Sequence, residues 1–284
     1  MSATSKATMG KNWIWLSVAA VLIVNLHARG EDFLKSSSFS LCAEFLSAPC
    51  WTSSGAVYNT GPVCWNDLSW VFDFGEYGFV DGYFGFISSF DKKKGDDYRL
   101  LFNEIEATLC YGRKWRISEN VTLSTKAGAL WGPPIGYKGA HQGCWGPYVG
   151  MSLANPLVVP YMTGLWLLEP DQRGYIRTGL RKPFALCEKL TLTPYVESVW
   201  MDRRRYINRY KSEPRHEYLG GGLFATLKTG ASLSYRFDEH FSVYLGCIMF
   251  NIIDSQARRY VRSINGHYAK CDFPVVSLGA IYSF

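Results

Sequence analysis

The chain has 284 residues, of which 19% are charged and 16% are aromatic, and its formal net charge at pH 7 is +6. Its mean hydropathy of −0.06 excludes a bundle of membrane helices, whereas a transmembrane β-barrel gives such an average because only alternate residues face lipid. The charge is too small for a dedicated nucleic-acid binder, and we expect no nucleic-acid partner.

The first segment of the chain, residues 1–30, has the layout of a cleavable secretory signal peptide. A positively charged start precedes an uncharged apolar run over residues 13–26, and two small residues, Ala28 and Gly30, stand at the positions that precede a cut. The alternative is a membrane anchor, but the apolar run is shorter than the ~20 residues that a spanning helix needs. We therefore predict an exported mature domain of residues 31–284.

The mature segment is predicted to be all-β, a single antiparallel transmembrane β-barrel of about 12 strands, within a range of about 10 to 14. Apolar and polar residues alternate over stretches near the ~9–11 residues with which a tilted strand crosses a membrane. Tight turns and longer connections alternate between them, and an even strand number places both chain ends on the periplasmic side. The predicted strands are 37–47, 67–74, 79–90, 98–111, 118–131, 145–153, 157–168, 174–185, 189–202, 217–237, 240–253 and 272–284.

One uncharged segment, residues 139–168, is long enough for a membrane helix. It contains Pro147, Pro156 and Pro160, however, and proline costs ~3 kcal/mol inside a helix. We therefore predict two uncharged strands that are joined by a turn around Asn155.

The last strand carries the sharpest pattern. Its apolar residues fall on one face, because successive side chains of a strand point to opposite faces. A terminal Phe, a second aromatic residue two positions earlier and alternating apolar residues upstream resemble the assembly signal of bacterial outer-membrane barrels. The resemblance implies an outer-membrane location and recognition by the barrel-assembly machinery. The residues that carry it are Val276, Leu278, Ala280, Tyr282 and Phe284.

Charged residues in the other strands are predicted to face the lumen, because Lys or Arg facing lipid at the midplane costs ~2–4 kcal/mol. Acids concentrate in the first four predicted strands and bases in the eighth to tenth, so the two arcs face each other across a closed barrel. The acidic arc comprises Glu44, Asp73, Asp81, Glu104 and Glu106. The basic arc comprises Arg177, Arg181, Lys228 and Arg236. Lys126 and Glu197 are further lumenal residues.

Two arrangements of these arcs are open. They line a water-filled pore, where charges tune selectivity, or they pair and plug a narrow barrel. The layout is similar to that of small porin-like channels, some of which line a twelve-strand lumen with bases for acidic oligosaccharides; this lumen instead carries acids as well as bases. The resemblance implies passive diffusion of small polar or charged solutes, and we expect no cofactor and no metal.

Two predicted exterior loops are strongly basic. Guanidinium groups bind phosphate and carboxylate in a bidentate way, which favours contact with lipopolysaccharide; the alternative is a solvated loop. If the barrel does not transport solutes, these loops would be the binding surface of a structural barrel, adhesin or receptor. Their residues are Arg203, Arg204, Arg205, Arg209, Lys211, Arg215, Arg258, Arg259 and Arg262.

An enzyme is the less favoured interpretation. An outer-membrane hydrolase or acyltransferase needs a base close to a nucleophile, and the mature histidines fall in predicted loops or beside a turn rather than in a strand next to a serine. A loop site that combines His216 or His267 with an acid such as Glu217 or Asp254 remains as the alternative.

Eight cysteines follow the predicted signal peptide. The oxidising periplasm permits disulfides, and Cys50 and Cys64, which flank one Gly/Ser/Pro-rich segment, are the candidate pair. The absence of a C-x-x-C motif argues against a cysteine zinc site.

Overall fold

The structure, a computed structural model, describes residues 34–47, 63–89, 104–132, 144–168, 173–202, 223–255, 258 and 272–284. Within these ranges, twelve long strands and a two-residue strand form one antiparallel sheet. The strands are β1 (Ser36–Leu46), β2 (Val63–Asp73), β3 (Phe79–Ser89), β4 (Glu104–Ser118), β5 (Val121–Gly132), β6 (Cys144–Ala154), β7 (Val159–Leu167), β8 (Arg173–Arg181), β9 (Phe184–Ala185), β10 (Leu190–Asp202), β11 (Leu223–Arg236), β12 (Phe241–Ile252) and β13 (Asp272–Ser283). None of the described residues belongs to a helix long and apolar enough to cross a membrane.

The sheet closes on itself. The long strands pair with their neighbours in chain order, the short β9 pairs with β10, and β1 pairs with β13. At the closing seam Ser40 lies opposite Ser283, and the N–H of Phe284 donates to the carbonyl of Phe39 at 3.0 Å. The predicted fold, a single antiparallel barrel of about twelve strands, is confirmed.

The two ends of the barrel differ. The strand ends Ser36 and Ser283 lie at the end that also carries the short turns, which we call the terminal end. The long connections leave from the opposite end, which we call the loop end. The turns of the terminal end span residues 74–78, 119–120, 155–158, 182–189 and 237–240.

In three of these turns the backbone donates hydrogen bonds to a short polar side chain, namely Asp73, Asn155 and Asp238. The Oδ1 of Asn155 accepts hydrogen bonds from the N–H groups of Leu157 and Val158, at 3.0 and 3.1 Å. Asn and Asp bond to backbone groups two or three residues ahead, which makes them turn formers. Residues 154–156, predicted as a turn between two uncharged strands, thus lie at the β6–β7 turn.

The outer wall of the barrel is apolar. In β13, Val276 and Leu278 are 48% and 57% exposed, while the intervening Val275 and Ser277 are 0% and 2% exposed. The strand register extends this alternation around the sheet, so that one face points outward and the other into the barrel.

Aromatic side chains form a belt near each end of this outer wall, as in other transmembrane barrels. The terminal-end belt includes Tyr235, Phe237, Tyr282 and Phe284, and the loop-end belt includes Trp131, Trp145, Trp166 and Trp200.

Four predicted strand bounds are wrong. Strand β2 begins at Val63 rather than at residue 67, and β4 continues to Ser118 rather than ending at residue 111. Strand β5 begins at Val121 rather than at residue 118, and the predicted strand 174–185 ends at Arg181, with Phe184–Ala185 forming the separate β9. Gly112 looks like a turn residue in the sequence, but it lies in β4 beneath the ring of Phe79. The turn is formed instead by residues 119–120, beside a register irregularity at the end of β4.

Candidate functional site

The inward face of the barrel is the candidate site, and the register places the predicted lumenal residues on it. Glu44 of β1 lies in one row with Gly279 of β13 and Trp65 of β2. The same alternation assigns the inward parity to the following residues: Asp73, Asp81, Glu104, Glu106, Lys126, Arg177, Arg181, Glu197, Lys228 and Arg236. Glu104 is assigned to this face by its position in the register, opposite Ile87.

The β1–β4 side of this face carries two acids that form no ion pair among the described residues. Glu44 lies near the hydroxyls of Ser277 and Tyr244. Asp67, the next inward residue of β2, lies near the indole of Trp65. No described base cancels the charge of these carboxylates when they are ionised. This part of the wall is therefore negative.

Two further acids are neutralised on the same side of the barrel. Lys114 Nζ lies 2.5 Å from Asp73 Oδ2, and Lys126 Nζ lies 2.6 Å from Asp81 Oδ2. Each pair reaches across an intervening strand, β3 in the first case and β4 in the second. The acidic side of the barrel therefore contains bases, and its negative charge is concentrated closer to Glu44 and Asp67.

The β8–β11 side carries one acid between two bases. Lys228 Nζ lies 3.2 Å from Glu197 Oε1, and Arg177 Nε lies 3.7 Å from Glu197 Oε2. The hydroxyl of Tyr161 also donates to Glu197, at 2.8 Å. Arg181 lies over the Tyr161 ring at 5.8 Å, so this wall keeps an excess of positive charge.

Arg236 lies apart from this cluster. It belongs to the inward parity of β11 at the terminal end, where its Nη2 donates to the carbonyl of Glu188 at 3.2 Å. This contact holds the turn between β9 and β10 against the end of β11.

Several inward tyrosines lie across glycines of the neighbouring strand. A Cβ on Gly279 would lie 2.3 Å from the ring of Tyr244, and a Cβ on Gly179 would lie 2.3 Å from the ring of Tyr161. Only glycine permits such a close approach. The rings consequently lie against the wall.

The inner wall of β10–β13 near the loop end is apolar and fully covered. Phe250 is 1% exposed, and its ring centroid lies 5.1 Å from that of Phe273. Val199, Ile252 and Val275 are buried beside them. The rest of the inner wall carries the charged groups described above, together with apolar residues such as Leu130 and Leu165.

The basic loops lie largely outside the described residues, namely Arg203, Arg204, Arg205, Arg209, Lys211, Arg215, Arg259 and Arg262. Arg258 is described. Its Nη1 donates to Asp272 Oδ1 at 2.8 Å and to the Ile252 carbonyl at 3.0 Å. Arg258 therefore joins the end of β12 to the start of β13, and its predicted contact with lipopolysaccharide would have to replace this pairing.

The predicted disulfide and the predicted loop histidines remain predictions. Cys50, His216 and His267 lie outside the described residues. Cys64 lies within β2, where its thiol donates to Asn66 Oδ1 at 3.6 Å.

Two functional residues were missed by sequence reasoning. Asp67 stands at the first position of the predicted strand, and Lys114 falls between the predicted strands 98–111 and 118–131. Asp67 has the parity of Asp73, which would have indicated its inward direction, whereas Lys114 becomes inward only once β4 is extended to Ser118.

Three solved structures of outer-membrane proteins are similar to this chain. The COG4313 outer membrane channel from Pseudomonas putida F1 is 11% identical, with a TM-score of 0.54, over 90% of this chain and 99% of that chain. A NanC porin is 9% identical, with a TM-score of 0.49, over 86% of this chain and 98% of that chain. An active-site mutant of outer membrane phospholipase A from Escherichia coli is 11% identical, with a TM-score of 0.48, over 88% and 91%.

No protein-family profile matches the chain, and no curated protein matches it. At these identities the structural likeness shows the fold alone. A closed barrel of twelve long strands with an apolar outer wall is the fold of outer-membrane β-barrels, so the chain is an outer-membrane barrel of bacterial type and is located in that membrane.

Proposed function

We propose that the protein is a porin-like channel for the passive diffusion of small polar or charged solutes. The observation that carries the proposal is the inward face, where charged groups and hydroxyls line the β1–β9 wall while the outward face is apolar. A barrel of twelve strands is intermediate between eight-strand barrels, which fill with their own side chains, and 16-strand barrels, which leave a channel. Tyrosine rings that lie against the wall favour the open arrangement.

The charges of the interior support a preference between solutes. Glu44 and Asp67 form no ion pair with a base among the described residues, which leaves an excess of acids on β1–β4. Arg177, Arg181 and Lys228 outnumber Glu197 on β8–β11. Charged groups at the wall of a pore select ions by attraction and repulsion, so cations would pass along the first wall and anions along the second.

Single-channel conductance of the refolded protein in a planar bilayer tests this proposal. We expect discrete conductance steps, and a salt gradient across the bilayer gives the ion preference from the reversal potential. Heat-denatured protein in the same detergent is the control for leakage. A barrel that is folded, as shown by heat-modifiable migration on gels, and yet never conducts would contradict the channel and favour a receptor or adhesin that acts through the basic loops.

An outer-membrane hydrolase is the competing class, because a phospholipase is among the structures with a similar fold. The one histidine in the described residues, His240, lies in a turn, where its Nδ1 is 2.9 Å from the carbonyl oxygen of Ser283. We expect no fatty-acid release from phospholipid vesicles that contain the folded protein. Release above the rate of empty vesicles would contradict the assignment as a channel.

The proposal includes a route to the membrane. Residues 1–30 would direct export and be removed, and the barrel-assembly machinery would recognise the end of β13, whose Tyr282 and Phe284 lie on the outer wall. Mass spectrometry of the protein purified from outer membranes tests the cut, because it would give a chain that begins at Glu31. Membrane lipid and lipopolysaccharide are the proposed surroundings of the outer wall and of the basic loops.

A further inference from the structure

The outer wall has an apolar groove at the closing seam of the barrel. Its floor is low because Ala43 of β1 lies directly opposite Ala280 of β13. Larger side chains of β1, β2, β3 and β13 rise on both sides of this floor. Its apolar lining consists of Leu41, Leu68, Phe84, Phe86, Phe241 and Tyr282 together with the two alanines, and Cys42, Asn66 and Asp67 complete the lining.

A carboxamide projects into this groove. Asn66 is the fourth residue of the 11-residue strand β2, and its backbone lies opposite Ala43 and Phe86, which both line the groove. A strand of this length is about what is needed to cross the membrane, so Asn66 lies within the lipid-facing wall. The other outward residues nearby on β1 and β2 are apolar, which makes Asn66 the exception.

The hydrogen-bonding capacity of Asn66 is only partly used. The Cys64 thiol donates to its Oδ1 at 3.6 Å. Within the described part of the chain, no acceptor lies in hydrogen-bond range of its Nδ2 group, which carries two N–H donors. Hydrocarbon offers no acceptor, so these donors are costly when the groove is covered only by acyl chains.

The occupant of the groove must therefore bring a hydrogen-bond acceptor to the depth of Asn66. An acyl chain fits the apolar walls but has no acceptor at that depth. A second copy of this chain brings the same carboxamide, which is donor and acceptor at once and is thus complementary to itself. The small residues of the floor allow two walls to approach closely, as small residues do between membrane segments.

We infer that two copies of the chain associate in the membrane through this groove. The contact is isologous: a twofold axis passes near Asn66, and the carboxamides of the two copies bond to each other. The inference concerns the outer wall and does not depend on transport through the lumen.

Association in liposomes tests the inference. Energy transfer between full-length mature copies that carry a donor or an acceptor dye is measured while the protein-to-lipid ratio is varied. Wild-type protein is expected to give transfer that saturates as for a dimer. Asn66→Leu keeps the size of the side chain and removes the amide, so it should weaken association about tenfold, whereas Asn66→Gln should retain part of it.

Two further variants make the test specific. Asn251→Leu removes an outward asparagine from β12, away from the groove, and should leave association unchanged. Ala280→Phe raises the floor and should weaken association without removing an amide. Monomeric wild-type protein at every ratio, or association unchanged by Asn66→Leu and Ala280→Phe, would overturn the inference. Single-channel conductance of Asn66→Leu should equal that of the wild type, which separates this result from any failure of the proposed channel.

Discussion

Glu197 is the carboxylate on which the basic wall depends. It accepts hydrogen bonds from Lys228 and Tyr161 and lies next to Arg177. Lys228 is only 3% exposed, so water cannot replace Glu197 as the partner of its ammonium group. A buried charge that loses its partner is far more costly than the pair is favourable.

Replacement of Glu197 by Gln should therefore destabilise the barrel by about 3–5 kcal/mol. The measurement is urea-induced unfolding of the refolded protein in lipid vesicles. The double variant Glu197→Gln, Lys228→Met removes both charges and should recover most of the loss. A loss below about 1 kcal/mol, the value for exposed pairs, would show that water reaches Lys228 in the membrane-bound protein.

Gly279 provides a test of whether the Tyr244 ring packs against the barrel wall. A methyl group at this position would collide with the ring of Tyr244, so Gly279→Ala should cost about 1–3 kcal/mol through overpacking. The variant Tyr244→Ala removes the ring and should make the additional Gly279→Ala change nearly neutral. Equal costs in both backgrounds, measured in the same unfolding experiment, would mean that the ring does not lie over Gly279.

At the scale of the elements, the β11–β12 turn links stability to pH. Asp238 accepts hydrogen bonds from the N–H groups of Phe241 and His240, at 2.7 and 2.8 Å, and these bonds lower the pKa of its carboxyl below the ordinary value. A lowered pKa in the folded state means that the ionised form stabilises the fold. The stabilisation is complete above the ordinary pKa and is lost as the pH falls through the lowered one.

Asp238→Ala should thus be less stable than the wild type at neutral pH. The difference should begin to shrink below the ordinary pKa of about 3.9 and disappear once the pH has fallen through the lowered pKa. Unfolding midpoints measured between neutral and strongly acidic pH give the comparison. Glu119→Ala, in the β4–β5 turn, is the control for the loss of a carboxylate at the same end of the barrel. A difference that persists unchanged in acid would assign the effect to the turn backbone rather than to the charge.

Alternation alone predicts the elements at the seam closely. Strand β1 is observed over Ser36–Leu46 and predicted over 37–47, and β13 is observed over Asp272–Ser283 and predicted over 272–284. No boundary is wrong by more than one residue, because the large apolar residues of the membrane-facing side share one parity. The extension of β4 to Ser118 could not be predicted in this way. Gly112 is followed by charged residues that resemble a turn, and only the ring of Phe79 and the pairing of Lys114 with Asp73 keep this segment in the wall.

At the scale of the whole molecule, the tilt of the strands determines which charges meet. Parity predicts that Asp73, Asp81 and Lys126 point inward, but the ion pairs of Asp73 and Asp81 cross an intervening strand. Such contacts depend on the stagger of the closed sheet, which no local pattern contains. The result is a lumen with mixed charges, in which the negative wall is confined to the region of Glu44 and Asp67.

The ion preference of the channel should follow the remaining difference in charge between the two walls of the lumen. The double variant Glu44→Gln, Asp67→Asn leaves hydrogen-bonding side chains of similar size and removes two negative charges. The cation-to-anion permeability ratio should fall by up to about fivefold for each charge, because a unit charge roughly 8 Å away in water attracts a cation and repels an anion by ~0.5 kcal/mol each. Arg181→Gln on the opposite wall should raise the ratio.

Reversal potentials under a salt gradient measure both shifts, and Glu76→Gln in the exposed β2–β3 turn is the control for a change in total charge away from the lumen. Salt screens these interactions over about 10 Å at 0.1 M, so the shifts should be largest at low ionic strength and should fade together as salt is added. If the double variant and Arg181→Gln both left the ratio unchanged at low salt, the conducting path would not pass between the two walls. A shift of the same sign in both variants would instead mean that ions respond to the total charge of the protein.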